Sequence, residues 1–134
     1  MNIQEELARN ARRMDRAARV AYKKAKKERK KRPARTIKPK KMDRYIYCLL
    51  LEGDRYYIGQ TTNVMRRFNK HLSGKGADWT SLYKPMSILE YQLYKKVTES
   101  YCVDLEDDKT FEYTDKYGYS RVRGGRYCKV SSFF

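Results

Sequence analysis

The chain has 134 residues, enough for one ordinary domain and little more. Its 32 Lys and Arg residues outnumber its 16 Asp and Glu residues, which gives a formal net charge of +16. The excess is concentrated, because residues 1–42 hold 17 basic and 4 acidic side chains. The longest apolar stretch, Tyr45–Leu51, has only the length of a strand, so we expect no transmembrane helix and no membrane partner. A basic segment beside a nearly neutral body is typical of proteins that bind a polyanion.

The three cysteines, Cys48, Cys102 and Cys128, are widely spaced and form no CxxC pair. We expect them to be buried or half-buried thiols in a reducing compartment. The N-terminus lacks the apolar run of a signal peptide. These features predict an intracellular protein, located in the nucleus, the cytoplasm, a nucleic-acid-containing organelle or a virion.

Residues 1–42 are predicted to form a basic helical arm and a linker. Residues 4–29 favour a helix because Ala, Arg, Lys and Glu dominate them. The apolar seam of this helix is thin and mostly alanine, so the helix either docks on a partner or nucleic acid, or is solvated. Pro33 and Pro39 then end helical order. We expect the arm to contact phosphates without reading bases, through Lys26, Lys27, Lys30, Lys31 and Arg32.

Residues 43–134 are predicted to form one α+β domain, with a three-stranded antiparallel sheet flanked by helices. In chain order, the patterns predict strands over Arg44–Leu51 and Arg55–Gly59, a helix over Val64–Leu72, a strand over Ser87–Tyr94, and a last helix that begins at Ser100 or Asp104 and ends at Gly118. Thr61 or Asn63 can cap the first of these helices. Its buried face is predicted to hold Val64, Phe68 and Leu72, which repeat every four residues.

The predicted hairpin carries the motifs Tyr45–Ile46–Tyr47 and Tyr57–Ile58–Gly59, and Arg67 and His71 follow one turn apart on the next helix. This set resembles the GIY-YIG nuclease domain family, which is named after the two strand motifs. The resemblance implies a small nuclease fold and a catalytic role for Arg67. His71 fits a place where an aromatic residue or a histidine often stands in that family. The resemblance also implies a metal-binding glutamate on the last helix, and Glu106 is the matching residue.

Further stretches resemble one branch of that family, the small stand-alone nucleases of large DNA viruses and their hosts. They are Trp79–Thr80, Tyr83–Pro85, Glu106–Asp107, Tyr117–Gly118 and Val122–Gly125. The chain departs from the family pattern in two places. Tyr45 occupies the place of the first glycine of the family name, and no asparagine follows Asn69, although many members have one late in the domain.

The chemistry of phosphodiester hydrolysis agrees with these residue types. Glu106 can hold one Mg²⁺ (or Mn²⁺) that keeps most of its waters, and the resemblance implies a single metal. Arg67 can place its guanidinium on phosphate oxygens. Either Tyr47 or Tyr57 can take a proton from water if its pKa is lowered, and we favour Tyr47 as the base and Tyr57 as its hydrogen-bond partner. Purely structural roles are the alternatives: strand aromatics, a solvated Arg67, and a local hydrogen bond for His71.

The sequence predicts a metal-dependent endonuclease that hydrolyses phosphodiester bonds, with DNA as the favoured substrate and RNA as the alternative. Cations near the cleft are expected to contact phosphates, namely Lys75, Lys84, Arg121, Arg123 and Arg126. No small-molecule cofactor is expected, and Trp79 is predicted to lie in the core. A second hypothesis is a catalytically silent nucleic-acid-binding protein with this fold, held in a large assembly such as a ribosome, another ribonucleoprotein or a virion.

Overall fold

The computed structural model describes residues 16–29 and 40–129, which belong to two compact units. The first unit contributes helix α1 (Arg16–Arg29), which lies inside the predicted helix. Its i,i+4 contacts include a salt bridge of 3.9 Å between Lys24 and Glu28, and Lys26 lies over the ring of Tyr22. The remainder of the predicted arm helix and the predicted linker up to residue 39 lie outside the described residues. No helix in the described part of the chain is long and apolar enough to cross a membrane.

The second unit contains four strands and three helices between residues 40 and 129. They are β1 (Lys41–Leu51), β2 (Arg55–Thr61), α2 (Val64–Leu72), α3 (Asp78–Leu82), β3 (Pro85–Thr98), α4 (Glu99–Tyr117) and β4 (Val122–Gly124). All five predicted elements of the domain are present. Asn63 caps α2, because its side-chain oxygen accepts a hydrogen bond of 3.0 Å from the backbone N–H of Arg66.

The sheet is four-stranded and mixed, with the strand order β3-β1-β2-β4. The prediction of a three-stranded antiparallel sheet is therefore wrong. The fourth strand, β4, pairs in parallel with β2, from Tyr56↔Val122 to Ile58↔Gly124. Three residues are too few to show an alternating pattern, so the sequence does not predict this strand. Its first residue, Val122, is fully buried in the core.

Side-chain alternation along β1 and β2 gives the sheet two buried faces. One face carries Ile46, Cys48, Tyr56 and Ile58, which pack with Cys102 of α4. The opposite face carries a second cluster of Tyr47, Leu49, Leu51, Tyr57 and Trp79, against which Val64 and Phe68 of α2 pack. The central strands are thus covered on both sides, which explains their continuous apolar runs. All three cysteines are free thiols, and each is buried or half-buried, as expected.

The buried face of α2 differs from the predicted one at its last turn. Leu72 is 40% exposed, whereas its neighbour His71 is 1% exposed. Val64 and Phe68 do face the core, as predicted. Leu72 was assigned to the core from its spacing and hydrophobicity, but a polar side chain with fixed hydrogen-bond partners takes the buried position in its place.

Arg123 lies inside the domain, which contradicts its predicted role as a phosphate contact. The residue is 1% exposed. Its Nε donates a hydrogen bond of 3.0 Å to the carbonyl of Lys129, and its Nη1 donates bonds of 2.6 and 2.7 Å to the carbonyls of Tyr119 and Val122. The guanidinium lies 4.4 Å from the ring centroid of Trp79, which is itself in the core, as predicted. Burial lowers the pKa of Arg123 to about 10.

We predict that Arg123→Met destabilises the domain by about 2–4 kcal/mol, because it leaves buried carbonyls without their donor. Arg121→Met, at an exposed position two residues earlier, is the matched control and should change stability by less than about 0.5 kcal/mol. Urea denaturation followed by circular dichroism measures both. Equal stability of the two variants would contradict the structural role of Arg123.

Candidate active site

A chain of buried hydrogen bonds joins β1, α2 and α3. The hydroxyl of Tyr47 lies 2.8 Å from Nε2 of His71, and Nδ1 of His71 lies 2.8 Å from Oγ1 of Thr80. Thr80 in turn donates a bond of 3.0 Å to the carbonyl of Ala77. Tyr47, His71 and Thr80 are each at most 2% exposed. Buried polar groups with partners on three elements hold each other in fixed positions.

Tyr57 and Arg67 complete this cluster. The ring of Tyr57 lies edge-on to the ring of His71, with 5.0 Å between centroids, and its centroid is 6.4 Å from that of Tyr47. The positive charge of Arg67 acts on both tyrosines, because it lowers the pKa values of Tyr47 and Tyr57. Within the described structure, Nε of Arg67 is buried and has no hydrogen-bond partner. One guanidinium therefore faces two phenol groups and keeps a donor for a further oxygen.

Two glycines make room for the cluster. Gly59 is the cross-strand neighbour of Tyr47, and a Cβ at this position would lie 2.5 Å from Cζ of Tyr47. A Cβ at Gly76 would lie 2.8 Å from Cε1 of His71. A side chain at either position would push a ring out of the hydrogen-bonded chain. Gly59, the glycine of the second strand motif, thus leaves the space that the ring of Tyr47 in the first motif occupies.

Burial sets the protonation states in this cluster. Burial and, to a smaller extent, the charges of Arg67 and Lys70 lower the pKa of His71 to about 4, so the imidazole is neutral at pH 7. Burial raises the pKa of Tyr47 to about 12, although the hydrogen bond and charge of Arg67 lower it. Burial also raises the pKa of Tyr57. Both tyrosines are therefore neutral hydroxyls in the free protein.

Glu106 lies on α4 and is 7% exposed. Burial raises the pKa of Glu106 to about 7 and the charge of Asp107 adds to this, while hydrogen bonds from the Gln60 side chain and the Gly125 backbone oppose it. The charge of Glu106 also raises the pKa values of Tyr47 and Tyr57. The carboxylate is thus close enough to act electrostatically on both tyrosines.

Asp107 and Arg126 fasten the loop that covers Glu106. Asp107 is fully buried, and its carboxylate accepts a bond of 3.0 Å from the backbone N–H of Arg126 and an ion pair from the Arg126 side chain. Arg126 also pairs with Asp104 at 3.1 Å. The predicted phosphate contact at Arg126 does not fit this geometry, because two carboxylates already hold the guanidinium.

The structure brings together four of the predicted catalytic residues, whereas phosphate binding by the predicted exposed contacts stays a prediction. Tyr47, Tyr57, Arg67 and His71 form one cluster, with Glu106 within its electrostatic reach. Lys75, Lys84 and Arg121 are exposed in the domain, and Lys27 is exposed on α1, whereas Lys26 is half-buried. Lys30, Lys31 and Arg32 lie outside the described residues.

Thr80 and Gln60 also belong to the site, although the sequence patterns did not predict them as site residues. Thr80 belongs to a dipeptide that was singled out only as part of a family resemblance, and Gln60 directly follows the second strand motif. Neither residue type indicates a site without knowledge of which groups it faces. Both owe their position to contacts between elements distant in sequence.

The donor set near Glu106 fits a hard cation held largely by water. Among residues 16–29 and 40–129, no group of three or more His, Cys, Asp or Glu residues could hold a metal ion. A closed protein cage is therefore absent from this part of the chain. Gln60, however, has a buried Oε1 without a hydrogen-bond partner in the described structure, and its side chain is near enough to Glu106 to lower the pKa of that carboxyl group. Mg²⁺ and Mn²⁺ accept such oxygen donors and retain water ligands.

Comparison with known proteins assigns most of the second unit to a family. The GIY-YIG catalytic domain matches residues 43–114, more than half of the chain. A UPF0213 protein of Cupriavidus necator is 42% identical over 62 residues, which are 46% of this chain and 67% of that protein. A UPF0213 protein of Cupriavidus pinatubonensis is 38% identical over 61 residues, 46% of this chain and 68% of that protein.

A third relative, a UPF0213 protein of Streptococcus agalactiae, is 35% identical over 60 residues, 45% of this chain and 68% of that protein. No solved structure matches the chain. The three relatives are bacterial, and the resemblance to members from large DNA viruses stays a prediction.

We predict that Glu106→Gln stabilises the metal-free domain at high pH. Because the pKa of Glu106 is raised from 4.5 to about 7, the folded state binds its proton more tightly than the unfolded state. Stability is therefore full below pH 4.5 and is lost as the pH rises through 7. Relative to wild type, the variant should gain about 3 kcal/mol between pH 4.5 and pH 8.

Urea denaturation in EDTA at several pH values measures this difference. The titration of His71, which acts in the opposite direction as the pH falls from 6.5 towards 4, is present in both proteins and cancels. Asp108→Asn, at an exposed position on the same helix, is the control and should show no such gain. A pH-independent difference between Glu106→Gln and wild type would show that the carboxylate is not protonated near neutrality.

Proposed function

The chain belongs to the GIY-YIG family, whose catalytic domain indicates endonuclease activity on nucleic acid, and we propose that this protein is a metal-dependent endonuclease that hydrolyses phosphodiester bonds in DNA. The proposed catalytic residues are Tyr47, Tyr57, Arg67, His71 and Glu106. RNA is the alternative polymer.

The observation that carries the proposal is the position of Arg67. Its charge acts on Tyr47 and Tyr57, and its buried Nε donor has no hydrogen-bond partner among the described residues. A phosphate oxygen fits this donor, because a guanidinium recognises phosphate through parallel N–H groups. Charge that develops on the phosphate during attack would then meet a fixed cation in a largely dry site.

Tyr47 is proposed to take the proton of the attacking water. As a neutral hydroxyl with a pKa of about 12, it can do so only if its own proton leaves at the same time. Nε2 of His71, 2.8 Å from the hydroxyl oxygen, is the acceptor for that proton. The water proton goes to Tyr47, the Tyr47 proton goes to His71, and the hydroxide bonds to phosphorus. The P–O3′ bond breaks, and the O3′ oxygen leaves with its electron pair and takes a proton from a solvent water. Tyr57 orients this group through Arg67.

Glu106, with Oε1 of Gln60 beside it, is proposed to hold one Mg²⁺ or Mn²⁺. When bound, such an ion supplies Lewis-acid stabilisation for the charge on the phosphate and the leaving oxygen. Glu106 must be ionised to bind it, and its pKa of about 7 in the free protein means that proton and metal compete for the carboxylate near neutrality. The loop held by Asp107 and Arg126 keeps the Gly125 N–H on the carboxylate and so orients it.

Exposed basic residues are proposed to bind the nucleic-acid backbone. Residues 1–42 carry 17 basic and 4 acidic side chains, and the domain adds exposed cations at Lys75, Lys84 and Arg121. Contacts of this kind are independent of sequence and weaken steeply with salt. They supply affinity, while the cleft supplies the chemistry.

We predict that Arg67→Ala and Glu106→Ala each lower cleavage of supercoiled plasmid at least about 100-fold, because each removes transition-state stabilisation. Gel assays with Mg²⁺ or EDTA, on plasmid and on structured RNA, measure the rates and identify the preferred polymer. Arg66→Ala is the matched control, since it removes an exposed cation from the same helix turn. It should change cleavage by less than about threefold.

Undiminished metal-dependent cleavage by Arg67→Ala would contradict the proposed mechanism. Folded wild-type protein that binds nucleic acid in a salt-dependent way, yet cuts neither polymer with Mg²⁺ or Mn²⁺, would contradict the enzyme. That result would favour the catalytically silent component of a large nucleoprotein assembly.

A further inference from the structure

The buried chain Tyr47–His71–Thr80 contains an imidazole whose hydrogen-bond partners determine which of its nitrogens carries the proton. A neutral imidazole carries one proton, on Nδ1 or on Nε2, and the other nitrogen accepts a hydrogen bond. Only an imidazole with an unprotonated Nε2 can receive the proton of Tyr47. The partners of the two nitrogens decide which form is present.

The first constraint comes from the tyrosine. Tyr47 is 1% exposed, so solvent water is not available to its hydroxyl group as a hydrogen-bond partner. The hydroxyl proton of Tyr47 then needs an acceptor. Among the contacts of Tyr47 in the described structure, Nε2 of His71 at 2.8 Å is the group that can accept it. If Nε2 carried a proton, it would donate to the Tyr47 oxygen, and the buried hydroxyl proton of Tyr47 would have no acceptor.

The second constraint comes from the threonine. The Thr80 hydroxyl has one proton, and it points to the carbonyl of Ala77 at 3.0 Å. Its oxygen is therefore left to accept a hydrogen bond from Nδ1 of His71 at 2.8 Å. Both constraints require the same form, with the proton on Nδ1. In this form every proton in the chain from Tyr47 to Ala77 has an acceptor.

We propose that Thr80 is a positioning residue that holds His71 in the Nδ1–H form and thereby leaves Nε2 as the acceptor for the Tyr47 proton. The tautomer follows from the geometry alone, whereas its consequence for catalysis rests on the proposed function. Thr80 does not touch the substrate. It acts through His71, as the group that orients a general base does in other hydrolases.

The local fold is built to hold Thr80 in this place. Thr80 lies on the short helix α3. The residue before it on this helix, Trp79, donates a hydrogen bond of 3.1 Å to the carbonyl of Tyr56 on β2. Thr80 is 2% exposed, and Gly76 leaves space for the imidazole between α2 and α3. A short helix anchored to the sheet through a buried indole gives the threonine a fixed register against His71.

The composition of the chain allows a direct test, because His71 is its single histidine. In untagged, ¹⁵N-labelled protein, long-range ¹H–¹⁵N correlation spectra contain one imidazole spin system, and the two nitrogen shifts report the tautomer. We expect the Nδ1–H form in wild type, without metal or substrate. Observation of the Nε2–H form as the main species would overturn the proposal, whether or not the protein cuts nucleic acid.

Thr80→Val and Thr80→Ser form the matched pair. Valine keeps the shape of threonine but has no oxygen to accept the Nδ1–H bond, so we expect it to shift the spectrum towards the Nε2–H form. Serine keeps the hydroxyl and should retain the wild-type pattern. Arg67, Lys70, Tyr47 and Tyr57 face the imidazole in all three proteins, so a difference between them reports on residue 80. An unchanged Nδ1–H pattern in folded Thr80→Val would also overturn the proposal.

Tyr47→Phe keeps the test decisive if Thr80→Val does not fold. It removes the Tyr47 proton and keeps Thr80, so the Nδ1–H form should persist. Loss of that form would show that the tyrosine, rather than Thr80, determines the tautomer. In cleavage assays, Thr80→Val should lower kcat about 10- to 100-fold with little change in KM, and Thr80→Ser should restore most of the rate. Absence of cleavage in every protein, with the tautomers as expected, would contradict the proposed function and leave the role of Thr80 intact.

Discussion

The hydrogen bond of 2.8 Å between Tyr47 and His71 is the contact on which the rest of the site depends. It joins the middle of the sheet to α2, and both partners are buried, so neither can exchange this bond for water. Gly59 and Gly76 are required because a side chain at either position would occupy the space of one of the two rings. The cap at Asn63 sets where α2 begins, and thus which of its residues faces the sheet.

Neutral and charged polar side chains lie close together around this hydrogen bond. Burial keeps His71 neutral and keeps Tyr47 and Tyr57 protonated, while Arg67 stays charged between the two tyrosines. Glu106 is neutral or ionised in comparable amounts near pH 7. Burial of these polar and ionisable groups lowers the stability of the domain, and destabilising arrangements of this kind are typical of functional sites. The sheet core on either side offsets it with continuous apolar packing.

Much of the fold could be predicted from local patterns, and the errors have physical reasons. The hairpin and α2 were predicted because turn residues, alternation and a cap lie next to each other in sequence. Leu72 was predicted to lie in the core because of its spacing from Val64 and Phe68. Spacing does not show which of two adjacent residues has a buried hydrogen-bond partner, and here that residue is His71. Arg123 was predicted to contact phosphate near the cleft because it is a cation. Only the carbonyls and the indole that surround it make its burial tolerable.

The sequence by itself determined the family, the order of the main elements, the basic character of residues 1–42 and the identity of the four residues that cluster at the site. These properties reside in residue type and spacing, which a linear pattern records. The tertiary structure alone decided the fourth strand, the burial of Arg123, the ion pair of Arg126 with Asp107 and the entry of Thr80 and Gln60 into the site. Each of these depends on contacts between elements far apart in the chain, which residue type and spacing do not record.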